Sequence, residues 1–106
     1  MKRFVLVLPL LTIPAVTQAA PSENEVIAAV DAGLRKTGCS IDISDQSASE
    51  RRLAELIAAE IGGTADNYLD RSGPLHDMVD NAVETMMETG RLTVDLAAGT
   101  ARLSDC

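Results

Sequence analysis

Residues 84–106 read ETMMETGRLTVDLAAGTARLSDC, and the hydrophobic period changes inside them. Before Gly90, the residues Leu75, Met78, Val79, Ala82, Val83 and Met86 recur at helical spacing, with Met87 at the edge of the stripe. After Gly90, Leu92, Val94 and Leu96 alternate with Arg91, Thr93 and Asp95. Ala97, Ala98 and Gly99 read as a tight turn, and Ala101 and Leu103 flank an outward Arg102 on the return. The stretch therefore predicts a helix over 75–89 followed by a β-hairpin over 91–103. Pro74 suits the helix start, because its missing amide would be unpaired there anyway. A lone hairpin is marginal in water, so this one must pack on the helices.

Upstream, Ser22 and Glu25 stand at capping-box spacing ahead of Val26, Ile27, Val30 and Leu34. Arg35 and Lys36 suit the negative end of a helix, and Gly38 suits its termination. The first helix is predicted over 23–37. Ile41 and Ile43 alternate with Ser40 and Asp42, which predicts a short strand near 40–43, a third partner for the hairpin. Ser47 and Glu50 repeat the capping spacing before Leu53, Leu56, Ile57 and Ile61, with Gly62 and Gly63 as the stop. The second helix is predicted over 48–61. Thr64 is expected to cap a turn that brings Tyr68 and Leu69 inward. A calcium loop counted from Asp66 fails at its third position, Tyr68, and at its twelfth, Asp77.

The expected fold is mainly α, of the α+β class: three helices, a C-terminal hairpin and the short strand near 40–43. This order resembles the winged-helix topology over about 23–104, a resemblance of order with no specific motif behind it. A three-helix bundle with a hairpin appendage is the alternative. A DNA-reading winged helix would need Lys or Arg on its last helix. Residues 75–89 carry Asp77, Asp80, Glu84 and Glu88 and no Lys or Arg.

The start of the chain, MKRFVLVLPLLTIPAVTQA, has a basic beginning, an apolar run of about a dozen residues and small residues before Ala20. It reads as a secretory signal peptide over 1–19, too short to span a bilayer. The expected location is the periplasm or the secreted fraction, with 20–106 as one small domain and no membrane association after cleavage. Loss of Lys2 and Arg3 leaves seven basic residues against sixteen acidic ones, changing the net charge from -7 to -9. Such a charge disfavours nucleic acid as a partner.

Cys39 and Cys106 are the only cysteines. In an oxidising compartment they are expected to form one structural disulfide closing a loop of about 67 residues, about 4 kcal/mol by chain entropy. They are not a Cys-x-x-Cys pair, which argues against a thiol enzyme. His76 is the only histidine. Ser72 lies four residues before it, but no residue of the expected pattern orients the imidazole, so no catalytic residue and no enzyme is predicted, a small hydrolase included. Met78, Met86 and Met87 with His76 raise a Cu(I) reading. Met78 and Met86 also fit the apolar stripe, where thioethers fill an aromatic-poor core. No metal ligand and no cofactor is assigned. The expected role is a non-catalytic accessory module that binds another periplasmic protein. Its docking surface would be the Met87 edge of the last helix or a strand edge of the hairpin.

Overall fold

The computed structural model describes residues 21–106; the signal-peptide reading of 1–19 falls outside the described residues. The element order is α1 (Glu23–Arg35), β1 (Ser40–Asp42), α2 (Gln46–Ile61), α3 (Ala65–Leu69), α4 (Pro74–Glu88), β2 (Leu92–Asp95) and β3 (Thr100–Leu103).

Local chemistry sets the helix ends. Ser22 accepts from the Glu25 amide at 3.1 Å, and the Glu25 carboxylate accepts from the Ser22 amide at 2.7 Å, completing a capping box. After α1, Gly38 and Cys39 both take positive φ, 85° and 67°, and the Cys39 amide donates back to the Leu34 carbonyl at 2.7 Å. Two successive left-handed residues turn the chain sharply into β1. α4 ends in a Schellman motif. Gly90 has φ 75°, its amide donates to the Met87 carbonyl, and the Arg91 amide donates to the Met86 carbonyl.

The expected three-helix architecture, in its winged-helix-like form and in its bundle form, is corrected by what lies between α2 and α4. Four helices are present among the described residues, with a three-stranded sheet. The extra helix, α3, forms because Thr64 accepts from the Asn67 amide and Tyr68 anchors the turn. Tyr68 is buried, and its hydroxyl donates to the Gly62 carbonyl at 2.8 Å. The hairpin is no appendage either. β3 is the middle strand, antiparallel to β2 on one side and to β1 on the other, with Leu92 opposite Leu103 and Ile41 opposite Ala101. The start of α2 also differs from expectation. Asp45 caps it by accepting from the Ala48 amide at 3.1 Å, and Ser47 lies inside the first turn. A carboxylate two residues earlier takes the cap, so the helix begins ahead of Ser47. Leu96, expected to continue the alternation, sits in the hairpin turn and is 83% exposed.

The core runs through α1. Val26, Val30 and Leu34 are buried there, with Ile57 from α2, Met86 from α4 and Leu103 from β3. The Cys39–Cys106 disulfide joins the α1–β1 reversal to the segment after β3, with a Cα–Cα distance of 6.2 Å. That distance is ordinary for a disulfide. α1 and α2 meet closely at Gly33, where an added Cβ would stand 2.9 Å from the Leu56 Cβ.

Two expectations follow. Reduction of the disulfide should lower unfolding free energy by about 4 kcal/mol in a denaturant titration run with and without reductant, if loop entropy governs its effect. Gly33→Ala should destabilise by about 1–3 kcal/mol through overpacking against Leu56. This outweighs the roughly 1 kcal/mol gain in helix propensity. A higher melting temperature in the variant would show that α1 and α2 can move apart there at little cost.

Candidate functional site

α2 and α4 each pack on α1 and on α3, yet make little direct contact with each other. The space between them is a furrow. From α2 it is lined by Gln46, Ser49, Glu50, Leu53 and Ala54. From α4 it is lined by His76, Val79, Asp80, Val83, Glu84 and Met87. Both sets recur at steps of three and four residues, so each helix turns one continuous face to the furrow. Tyr68 and Leu69 of α3 close one end. At the other end the furrow continues over Ile41, Ile43, Leu92, Val94 and Ala101 of the sheet region, with Val30 and Leu34 of α1 beneath. Its volume is about 440 Å³ beside α3 and about 290 Å³ beside the sheet.

The floor is apolar and incompletely covered. Leu53, Val79 and Val83 are half-buried against the core. Met87 and Val94 are 42% and 37% exposed, and both line the furrow. The charged side chains that line it are Glu50, Asp80 and Glu84, beside the single imidazole of His76. No Lys or Arg lines either part of it. Most of the basic residues are engaged elsewhere: Lys36 with Glu60, Arg51 with Asp66, Arg52 with Glu55, and Arg35 and Arg91 with Asp31, while Arg102 is exposed on β3 with no ion pair among the described residues. Arg71 reaches the rim, where it meets Glu50 at 3.5 Å. Glu84 enters no ion pair among the described residues.

The residues singled out from sequence separate in space. Ser72 donates its hydroxyl to Asp70 at 2.6 Å, and the Ser72 amide donates to the same carboxylate oxygen. These bonds hold the Asp70 carboxyl below its ordinary range. His76 turns Nδ1 toward Asp77 and Asp80, each at 3.7 Å, and makes no hydrogen bond with Ser72 among the described residues. His76, Asp77 and Asp80 bring ligand atoms within 4.8 Å of one another, but both carboxylates are exposed on an open helix turn. Met86 is fully buried and Met78 half-buried against the core. His76 and Met87 do share the furrow, but they stand eleven residues apart on one helix, roughly 16 Å along its axis. Sequence reasoning picked out the Met87 edge but missed the facing wall on α2. An apolar stripe shows which face avoids water, not whether a neighbour covers it.

A second cluster sits near the disulfide. Arg35 Nε donates to Asp31 at 2.6 Å, Arg91 donates to the other Asp31 oxygen at 3.2 Å, and Arg35 Nη2 donates to Asp105 at 2.9 Å. The hydrogen bond from Arg35 above all holds the Asp31 carboxyl below its usual value of 3.8; burial opposes it, and the hydrogen bond from Arg91 lowers it further. The cluster ties α1 to the start of the hairpin and to the segment carrying Cys106. Its groups are paired with one another, so its chemistry is that of a clamp.

Compared with protein families, curated proteins and solved structures, the chain finds no match. No described helix is long and apolar enough to cross a membrane. The geometry defines a small disulfide-bonded α+β domain with an open, acid-rimmed apolar furrow.

The clamp has a pH signature. Asp31 has a lowered value in the folded chain, so its contribution is present above the ordinary carboxylate range and lost as pH falls through the folded value. Asp31→Asn should cost about 1 kcal/mol at neutral pH. The difference from wild type should shrink toward zero on acidification, as read from urea midpoints across the pH series. A difference that stays constant with pH would assign the loss to packing rather than charge.

Proposed function

We propose that the chain is an exported, non-catalytic accessory module that binds a partner polypeptide in the furrow between α2 and α4. The observation that carries this reading is the exposure of Met87 and Val94 on an apolar floor that no described element covers. A stable monomer gains nothing from leaving such a floor wet. Contiguous exposed apolar surface with a polar rim is the usual mark of a docking site. The signal-like residues 1–19 and the disulfide support export into an oxidising compartment, where the bond persists. The separation of Ser72 from His76 supports a binding role over hydrolysis.

The test is site-directed. A photo-crosslinking side chain at Val83, inside the furrow, should trap one defined partner in the native compartment. The same group at Arg102, which is exposed on β3 between the buried Ala101 and Leu103, should not. The partner, once identified and purified, should bind wild type and lose at least tenfold in affinity for Met87→Glu, a change at an exposed position that leaves the fold intact. Crosslinking through Arg102 alone, or unchanged affinity for Met87→Glu, would remove the furrow from the account.

A further inference from the structure

We infer that the occupant of the furrow is a cationic amphipathic α-helix of about three turns, presented by a partner protein. This deepens the docking reading above and rests on it. Three features of the furrow select that chemistry.

The first is the nature of the walls. Both long walls are helices, and their backbone amides and carbonyls are satisfied internally. An extended segment laid between them would leave its own backbone polar groups unpaired against apolar side chains. A helix satisfies those groups itself and presents only side chains.

The second is length. The α4 wall runs from His76 to Met87, roughly 16 Å of helix axis. A segment of about eleven residues spans this and places apolar anchors at i, i+3, i+4 and i+7 along the floor.

The third is charge. The lining acids are Glu50, Asp80 and Glu84, and α4 carries no Lys or Arg. Basic residues flanking the apolar stripe of the incoming helix would meet Asp80 and Glu84 on one wall and Glu50 on the other. Glu84 is the acid most open to such pairing, since Asp80 faces His76 and Glu50 faces Arg71. The same charge disfavours a second copy of this chain, because the acids of one α4 would face the acids of its twin.

The test uses the oxidised protein and three labelled synthetic peptides, read by fluorescence anisotropy. One is an eleven-residue helix former with Leu at i, i+3, i+4 and i+7 flanked by Lys and Arg. The second replaces each Lys and Arg by Glu. The third keeps the cationic composition but scrambles the Leu positions so that they share no face. The first peptide should bind at least tenfold more tightly than either of the others, and its affinity should fall as salt rises. Asp80→Lys with Glu84→Lys should weaken it about tenfold with an unchanged circular dichroism spectrum, and Met87→Glu should weaken it similarly. Equal binding of the acidic twin, equal binding of the scrambled peptide, or no binding of the first would each overturn the cationic helix. So would a concentration-dependent dimer that Met87→Glu dissociates, which would make a second copy the occupant. The crosslink at Val83 does not depend on peptide charge. It separates failure of this inference from failure of the docking reading.

Discussion

The fold hangs on the reversal at Gly38 and Cys39 and on the covalent bond that starts there. Gly38 enters the left-handed region without a side-chain penalty, and Cys39 is held in it at φ 67°. Hydrogen bonds hold Cys39 on both sides: its amide donates to the Leu34 carbonyl, and its own carbonyl accepts from the Leu103 amide. The same residue therefore ends α1, aligns β1 beside β3 and holds Cys106 through sulfur. In a core whose single buried aromatic among the described residues is Tyr68, that convergence replaces much of what larger side chains would do.

The furrow follows from the central position of α1. Val26, Val30 and Leu34 face neighbours from α2, α4 and the sheet. Helices α2 and α4 spend their best faces on α1 and on Tyr68 of α3, and so flank the space above α1 instead of closing it. Leu53, Val79 and Val83 remain half-covered as a result. The clamp at Asp31 and the disulfide sit beside Val30 and Leu34 in the C-terminal half of α1, so the open furrow and the locked segment share one stretch of helix.

Much of this was legible in the residues. Ser22 with Glu25, the stripe from Val26 to Leu34, Pro74, Gly90 and the alternation after it each announce a local structure through an interaction a few residues long. The disulfide was legible because only one pairing of two cysteines exists. α3 was legible only as a turn, through the Thr64 cap and the inward Tyr68, since five residues carry no measurable period to mark a helix. Asp45 took the cap two positions ahead of Ser47, and Leu96 fell into the turn because the hairpin closes between Asp95 and Thr100. The furrow was the least legible feature. Leu53 and Val83 read as core residues in their own helices, and the gap between those helices is set by how both sit on α1.

The strand order also fixes when the molecule can be finished. β3 lies between its neighbours, yet it is the most C-terminal of the described strands. Its partner β1 must therefore wait through the synthesis of α2, α3 and α4 before its edge is covered. Contacts of such long sequence separation form late and slowly. Cys106 follows β3, so the disulfide, like the β1–β3 pairing, needs the last described segment to be present. The bond and the β1–β3 pairing therefore draw on the same late segment, and each brings the chain just after α1 against the last described residues.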